Sequence, residues 1–321
     1  MTTKLVCLSP WPPELVRSFF EGREAVEIHF APDPPAPEEV RELLLDADLV
    51  IGDQRHRHLI DRPVLGAMTR CKLIQMPSVG FDVVDHRAAA EFGVPVANAA
   101  GYNRDAVADW TLMAMLNLIR HGAYGDRHMR LGEWPRAQVW GNELGALTIG
   151  LIGLGNVGSA VASRVRAFGS PLLFTDTIPR SFSGADQVPL DQLLAESDIV
   201  SVHTPLDHDT RGLINAAALA RMKAGAILIN AARGPVVDEA ALTAALDSGR
   251  LGGAALDVFE SEPLAADSPL RAMENVFLSP HMGGATRQAE ARVHQTIKSN
   301  CARVLDGLQP FNVVNGVTLA G

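Results

Sequence analysis

The sequence predicts an α/β protein with two doubly wound parallel sheets, one domain being inserted into the other. Short apolar runs alternate with segments of helical spacing along most of the chain, which is typical of parallel βαβ units. The chain has 321 residues, 47% hydrophobic and 20% charged, and is long enough for two globular domains. We expect one domain to comprise residues 1–103 and 285–321 and the other to comprise residues 104–284.

The first domain is predicted to contain five strands. Each of its apolar runs is bounded by proline, glycine or polar residues, the usual signals of strand ends. The predicted strands cover residues 4–8, 25–30, 46–52, 71–76 and 94–97. Helices are expected after Pro12, over residues 38–45 and around residues 85–91.

The second domain is predicted to open with a long apolar helix over residues 104–121, followed by an irregular stretch that holds Trp134 and Trp140. A strand at 147–152 then leads through a glycine-rich turn into a helix over 156–168. Further strands are predicted at residues 172–176, 199–203, 226–231, 253–258 and 275–278. A final helix, ended by Gly307 and Pro310, is expected to return to the first domain.

The glycine-rich turn predicts a dinucleotide site. Gly153 permits the tight turn, Gly155 lets the backbone approach a pyrophosphate, and Gly158 lets the helix pack against the strand. The free N–H groups at the start of the helix favour the phosphates. Asp176 ends the next strand, where the ribose hydroxyls of the cofactor need an acceptor.

The same carboxylate predicts NAD rather than NADP, because it would repel a 2′-phosphate. Arg180 lies four residues later and offers that phosphate a partner, so it argues in the opposite direction. We expect NAD as the cofactor and NADP as the less favoured alternative.

Four polar residues at or near the ends of successive predicted strands could carry chemistry, since ligands bind at this edge of an open α/β sheet. They are Arg233, Asp257, Glu262 and His281. A histidine suits proton donation to a reduced ketone, a carboxylate could orient it, and an arginine matches the carboxylate of a 2-oxo acid. Each residue also has a structural alternative: a strand-end cap, a helix cap, a solvated loop carboxylate or a turn histidine.

Composition and charge narrow the class of protein. A formal charge of −9 disfavours a general nucleic-acid surface. Cys7, Cys71 and Cys301 are isolated, which favours a reduced cytoplasmic setting and suggests no metal site. No apolar run approaches the length of a membrane span, and no membrane partner is expected.

The order of motifs resembles the D-isomer-specific 2-hydroxyacid dehydrogenase family, in particular its glyoxylate/hydroxypyruvate reductase-like or phosphoglycerate dehydrogenase-like members. The segments GLGNVG, HTPLDHDTRGLIN, NAARGPVVDE, ALDVFESEPL and LSPHMGGAT follow one another as in that family. SVGFDVVDH and VANAAGYNRDAVADW resemble its substrate-loop and hinge segments, so the resemblance covers nearly the whole chain. It implies a Rossmann cofactor domain inserted into a flavodoxin-like substrate domain, in a homodimer.

The resemblance implies roles for individual residues. His281 would be the acid/base, Glu262 its paired carboxylate, and Arg233 the anchor of the substrate carboxylate and carbonyl, with Asp257 beside the nicotinamide. The residues that would line the cofactor are Gly153, Gly155, Asn156, Val157, Gly158, Asp176, His203, Thr204, Pro205, Ala231, Ala232, Arg233, Asp257, His281, Gly283 and Gly284. Backbone groups of Val79 and Gly80 would complete the substrate cradle, and domain closure would exclude water.

The expected reaction is hydride transfer between NAD and a D-2-hydroxy acid/2-oxo acid pair such as glyoxylate or hydroxypyruvate. Gln54, Arg55 and Arg57 could favour a polar or phosphorylated substituent, or could form only a solvated loop. Trp134 or Trp140 could close the pocket, or both could pack in an interface. Two rival functions remain, a cofactor-sensing corepressor-like binding protein and a phosphite dehydrogenase.

Some residues of the sequence receive only a structural interpretation. The histidines His56, His58, His121 and His208 are expected at the surface. Asp109 stands where the resembled family usually has glutamate after Val-Ala, and we interpret it as a shorter structural carboxylate.

Overall fold

The chain forms two compact units, as seen in a computed structural model that describes residues 2–34 and 36–319. The first unit comprises Met1–Tyr102 and Arg287–Gly321, and the second comprises Asn103–Thr286. Each unit is built on one parallel sheet with buried residues packed on both of its faces. The predicted fold class is confirmed.

The sheet of the first unit has five strands in the order β2-β1-β3-β4-β5, the flavodoxin-like order. The strands are β1 (Thr3–Cys7), β2 (Val26–Phe30), β3 (Leu49–Ile51), β4 (Leu73–Gln75) and β5 (Val96–Ala97). The helices up to this point are α1 (Pro13–Ser18), α2 (Pro37–Leu45), α3 (Arg62–Ala67) and α4 (His86–Glu91). The sequence did not predict α3, because it is a single short turn whose signal is its N-cap, where Asp61 accepts the Val64 N–H at 3.1 Å.

The sheet of the second unit has seven strands in the order β12-β11-β10-β9-β6-β7-β8. Its strands are β6 (Ile149–Ile152), β7 (Leu172–Thr175), β8 (Asp186–Gln187), β9 (Ile199–Val202), β10 (Ile227–Asn230), β11 (Gly253–Leu256) and β12 (Val276–Leu278). Its helices are α5 (Arg104–Ile119), α6 (Gly122–Arg130), α7 (Asn156–Arg166), α8 (Leu190–Glu196), α9 (Ala216–Arg221) and α10 (Glu239–Asp247). The sequence missed β8 and α6, because the residues of β8 are exposed and α6 buries none of its residues.

Several strands are shorter than predicted. The run at 253–258 is buried throughout and is apolar except for Asp257, yet pairing with neighbouring strands stops at Leu256. Hydrophobicity marks burial, whereas a strand also requires paired backbone groups. The residues just beyond the strand ends are therefore free to form loops at the carboxyl edge of the sheet, and these loops hold the predicted site residues.

The final helix, α11 (Arg287–Leu305), packs against the sheet of the first unit. Val293, Ile297 and Cys301 lie in the same buried cluster as Leu5 and Leu49. None of the helices within the described ranges is both long and apolar enough to cross a membrane.

Candidate active site

The glycine-rich turn joins β6 to α7 with little space for side chains. Gly153 has a φ of +94°, and a Cβ there would lie 2.8 Å from the carbonyl oxygen of His203. A Cβ at Gly158 would lie 2.1 Å from the carbonyl oxygen of Gly153, so α7 could not approach the turn with a larger residue. Around Gly155 there is open space, and no side chain caps the N-terminus of α7. The turn can therefore receive an anion on free backbone N–H groups.

A cavity of about 590 Å³ adjoins this turn within the second unit. Its lining combines Gly155, Asn156 and Ser159 with the arginines Arg104, Arg164 and Arg180. Arg164 also donates to Asp109 at 2.6 Å, so Asp109 joins α5 to α7. The lining also includes Asp105, and each of the three arginines is paired with a carboxylate, so the uncapped helix is the feature that suits the pyrophosphate of a dinucleotide.

Asp176 lies immediately after β7 and faces the turn. Its Oδ2 accepts the Leu154 N–H at 2.9 Å and the Arg180 Nε–H at 2.8 Å, and its Oδ1 accepts the Ile178 N–H at 3.3 Å. Burial raises the pKa of Asp176, but these hydrogen bonds and the charge of Arg180 outweigh it and hold the pKa below its ordinary value. Because each carboxylate oxygen can accept about two hydrogen bonds, Oδ1 retains room for a ribose hydroxyl.

His203 lies immediately after β9, with its backbone against Gly153. Its Nε2 lies 2.9 Å from the Ser201 hydroxyl oxygen. Removal from water lowers the pKa of His203 to about 4, so the ring is neutral at pH 7. It therefore supports the turn without adding charge to it.

Acidification should destabilise the protein through His203. Its pKa in the folded protein is about 4 against an ordinary value of 6.5, so between these values the unfolded chain binds more protons and stability falls as the pH falls. We expect His203→Gln to reduce the slope of unfolding free energy against pH by up to about 1.4 kcal/mol per pH unit in this window. Urea denaturation of the wild type and His203→Gln from pH 4 to pH 7 measures how the unfolding free energy depends on pH. Equal slopes in the two proteins would contradict the prediction.

Arg233 lies on a loop organised by a buried asparagine that the sequence did not reveal as important. Asn230 ends β10, where its side-chain oxygen accepts the Ala232 N–H at 3.0 Å and its amide donates to the Arg233 carbonyl at 3.0 Å. A Cβ at Gly234 would lie 1.8 Å from the carbonyl oxygen of Phe259, so glycine is needed for the close approach of these two loops. The approach brings the charge of Arg233 within range of Glu262.

His281 and Glu262 form a hydrogen-bonded pair. The imidazole Nδ1 lies 2.8 Å from Glu262 Oε2, and Glu262 Oε1 accepts the Phe259 N–H at 3.1 Å. Burial raises the pKa of Glu262, but the hydrogen bond and charge of His281, the Phe259 N–H and the charge of Arg233 together hold it below its usual value. The histidine side chain is 51% exposed, so its second nitrogen can reach a ligand.

The loop that carries His281 is held by Asp257. The buried Asp257 carboxylate accepts the Ser279 hydroxyl at 2.5 Å, the Met282 N–H at 2.8 Å and the Gly283 N–H at 2.7 Å. Its carbonyl oxygen accepts the His281 N–H at 2.8 Å, and His281 adopts a left-handed φ of 51°. Asp257 therefore fixes the backbone from which the histidine projects.

A short loop at the carboxyl edge of the first unit, residues 78–81, has its carbonyl oxygens tied back to the protein. The oxygens of Ser78, Val79 and Gly80 accept the Ala99 N–H at 2.9 Å, the Asn98 side-chain amide at 2.7 Å and the Ser78 hydroxyl at 2.6 Å, respectively. Asn98 and Ser78 were not predicted as site residues, and only their positions just beyond predicted strands could have indicated them.

The other side of these three peptides presents N–H groups. In a trans peptide the N–H points opposite to the carbonyl, so the N–H groups of Val79, Gly80 and Phe81 are turned away from the groups that bind the oxygens. Within residues 2–34 and 36–319, none of the three has a hydrogen-bond partner. A run of free N–H groups of this kind favours an anion such as a carboxylate.

The polar loop at 53–58 is more ordered than its composition suggests. Asp53 is buried, and its carboxylate accepts the backbone N–H groups of Arg55 at 3.0 Å and Arg57 at 2.8 Å. His58 is also buried, which corrects the expectation that it lies at the surface. The polar sequence of this loop wrongly predicted an exposed His58, because the loop folds inward to provide hydrogen bonds to the buried Asp53 carboxylate. His58 Nε2 lies 3.9 Å from that carboxylate.

Trp134 and Trp140 do not contribute to a buried pocket within their own chain. Their exposed fractions are 75% and 85%, and Met129 and Leu131 are exposed next to them in sequence. Across the part of the chain that the structure describes, no cluster of three His, Cys, Asp or Glu side chains could hold a metal ion.

The chain is similar to known proteins in both sequence and fold. The sequence model of the family described as "D-isomer specific 2-hydroxyacid dehydrogenase, NAD binding domain" matches residues 112–283. A glyoxylate reductase of Korarchaeum cryptofilum is 35% identical over 308 residues, covering 92% of each chain. A D-3-phosphoglycerate dehydrogenase of Archaeoglobus fulgidus is 38% identical over 265 residues, 81% of this chain but only 50% of the longer relative. The crystal structure of an Aquifex aeolicus D-lactate dehydrogenase with NAD and lactic acid is 30% identical, with a TM-score of 0.85 over 98% of this chain and 100% of that one.

Proposed function

Because this chain belongs to the D-isomer specific 2-hydroxyacid dehydrogenase family, we propose that it transfers a hydride between NAD and a D-2-hydroxy acid/2-oxo acid pair. We propose that it acts as a reductase, with glyoxylate or hydroxypyruvate as the substrate. The observation that carries this proposal is the 2.8 Å contact between His281 Nδ1 and Glu262. It leaves Nε2 as the ring nitrogen that can give a proton to a carbonyl oxygen.

Each site residue then has a defined task. The bound nicotinamide supplies the hydride. Glu262, whose pKa is lowered, stays ionised and orients the ring of His281 through the contact at Nδ1. Arg233 offers a planar set of donors to the substrate carboxylate and carbonyl. In this proposal the N–H groups of Val79 and Gly80 bind a substrate carboxylate.

The cofactor is held by the carboxyl edge of the second sheet in this proposal. The uncapped α7 and the open space at Gly155 suit a pyrophosphate, and Asp176 suits the ribose. The proposed contacts are Gly153, Gly155, Asn156, Val157, Gly158, Asp176, His203, Thr204, Pro205, Ala231, Ala232, Arg233, Asp257, His281, Gly283 and Gly284.

We predict a preference for NAD that depends on the Asp176–Arg180 pair. Asp176 would repel a 2′-phosphate, and it also holds the Arg180 Nε at 2.8 Å. Asp176→Ala removes the repulsion and releases the arginine, so the ratio of kcat/KM for NADPH to that for NADH should rise by about tenfold or more. Steady-state kinetics with both cofactors measures this ratio.

Arg180 supplies the matched control for the cofactor prediction. Adding Arg180→Ala to the Asp176→Ala variant should cancel most of the gain, because the freed guanidinium is then absent. A wild-type preference for NADPH would contradict the assignment of NAD.

The loop at 53–58 favours an unphosphorylated substrate. The Arg57 guanidinium donates to both Asp53 and Asp33 at 3.0 Å, so its charge is already neutralised. The Gln54 amide oxygen accepts the Trp11 indole N–H at 3.0 Å. Of the three side chains that could have bound a phosphate, only Arg55 has no side-chain partner within the described ranges. This supports glyoxylate or hydroxypyruvate over 3-phosphohydroxypyruvate.

A substrate panel tests the proposed function. NADH oxidation, followed by absorbance, should be faster in kcat/KM with glyoxylate or hydroxypyruvate than with 3-phosphohydroxypyruvate. Failure of every 2-oxo acid to oxidise NADH would refute the proposal, and reduction of NAD by phosphite would favour a phosphite dehydrogenase instead.

We also propose that a second copy of the chain covers the segment from α6 to Trp140. α6 buries no residue, and Leu131, Trp134 and Trp140 leave an exposed apolar surface that a solitary chain rarely shows. Wild-type protein should therefore elute as a homodimer in size-exclusion chromatography with light scattering. Trp134→Ser with Trp140→Ser should shift it toward monomer, and a monomeric wild type at micromolar concentration would contradict the proposal.

A further inference from the structure

We propose that His56 is a positioning residue for the 78–81 loop and that it thereby sets the affinity for the substrate carboxylate. The assignment rests on the proposed function, in which this loop binds a 2-oxo acid. It starts from one contact: His56 Nε2 lies 2.9 Å from the Ser78 hydroxyl oxygen. His56 lies in a loop after β3, whereas Ser78 lies in a loop after β4.

The direction of this hydrogen bond follows from the groups available. The Ser78 hydroxyl has one proton, and it donates that proton to the Gly80 carbonyl at 2.6 Å. Ser78 must therefore accept from His56, so the imidazole carries a proton on Nε2. The result is an ordered chain of donors that runs from His56 through Ser78 to Gly80.

This chain of hydrogen bonds orients the side of the 78–81 loop that would contact the substrate. Fixing the Gly80 carbonyl fixes the peptide that joins Gly80 to Phe81, and the Phe81 N–H must then point to the opposite side. Without the histidine, the Ser78 hydroxyl could rotate to other acceptors, and the Phe81 N–H would no longer share the direction of the Val79 and Gly80 N–H groups, which Ala99 and Asn98 hold through the Ser78 and Val79 carbonyls. An anion site of backbone N–H groups depends on that common direction.

The backbone at His56 also indicates a constrained position. Its φ of 54° is left-handed, a conformation that is unfavourable for a residue other than glycine. Asp53 imposes this conformation: its carboxylate accepts the N–H groups on both sides, and its carbonyl accepts the His56 N–H at 3.0 Å. A strained residue that the surrounding structure over-determines is a common feature of ligand sites.

The test uses His56→Gly, which keeps the left-handed backbone and removes the ring. With NADH and glyoxylate as the probe, we expect KM for glyoxylate to rise by about tenfold, the value of one hydrogen bond, while kcat and KM for NADH stay within about threefold of wild type. His56→Gln should restore KM in part, because its amide nitrogen is as many bonds from Cα as Nε2.

Ser78→Ala distinguishes positioning from a general structural role. If His56 acts through Ser78, a double variant that combines His56→Gly with Ser78→Ala should have the same KM for glyoxylate as Ser78→Ala alone. His208→Ala, at a side chain that is 99% exposed, serves as the control and should leave KM unchanged. Thermal unfolding of each variant confirms that it is folded.

Three outcomes overturn the assignment, and two of them concern His56 only. If the wild type turns over glyoxylate but His56→Gly has an unchanged KM, the role of His56 is refuted while the proposed function stands. The same holds if the increase in KM of the His56→Gly, Ser78→Ala double variant is the product of the increases in the two single variants. Absence of glyoxylate and hydroxypyruvate reduction by the wild-type protein refutes the proposed function and this assignment with it.

Discussion

Replacing His281 by alanine should lower kcat for 2-oxo acid reduction by about 10²–10⁴-fold, the usual worth of a positioned acid/base. The imidazole is held at 2.8 Å by a carboxylate that stays ionised, and no other histidine shares this pairing with Glu262 among the described residues. KM for NADH should change much less than kcat, because most of the proposed cofactor contacts lie on other residues. Stopped-flow single-turnover kinetics separates the chemical step from product release.

Two further variants make the His281 prediction specific. His281 has a left-handed φ of 51°, which asparagine tolerates better than alanine, so His281→Asn should lose activity equally while keeping the loop conformation. Glu262→Gln should lower kcat less than His281→Asn does, because an amide oxygen can still accept a hydrogen bond from the imidazole Nδ1, although more weakly than a carboxylate. Near wild-type turnover in His281→Asn would discard the acid/base role.

Replacing Arg233 by alanine should lower kcat/KM for glyoxylate by about 10²-fold or more, since each hydrogen bond to a charged group contributes about 1.5–3 kcal/mol. Its loop is rigidly held by Asn230, and its Nη1 donates to the Ala232 carbonyl at 2.8 Å. The guanidinium is therefore preorganised, and little conformational entropy is lost on binding. Steady-state kinetics with varied glyoxylate at saturating NADH measures the loss.

Arg233→Lys is the matched variant, because it keeps the charge but lacks the planar pair of donors. We expect it to recover part of the loss and no more than about a tenth of wild-type kcat/KM, since a point charge cannot bind a carboxylate in two places. Fluorescence titration of NADH measures separately how much cofactor affinity each variant loses, because Arg233 is also among the proposed cofactor contacts. Equal kcat/KM in wild type and Arg233→Ala would remove Arg233 from the substrate site.

The residues that hold the site were harder to predict than the residues proposed for chemistry. Arg233, Glu262 and His281 stand beyond apolar strands in motifs with a recognisable order. Asn230 and Ser279 adjoin the same strands but resemble ordinary polar strand ends. Their importance lies in what they bond: Asn230 closes the loop of Arg233, and Ser279 donates to Asp257. Such partners depend on how neighbouring strands align, which one-dimensional patterns do not contain.

The sequence by itself determined the two α/β domains, the family and the glycine-rich turn, because hydrophobic periodicity and residue types at short spacing encode them. The family resemblance already implied that Glu262 pairs with His281, but only the tertiary structure showed that Asp257 holds the backbone of the same loop. Glu262 pairs with the His281 ring across 19 residues, while Asp257 binds the backbone of the same loop across 25 and 26. The structure also showed that the carboxylates of Asp53 and Asp33 neutralise the charge of the Arg57 guanidinium. The physical reason is that hydrogen bonds and charges act over a few ångströms of space, and packing of distant segments creates those distances.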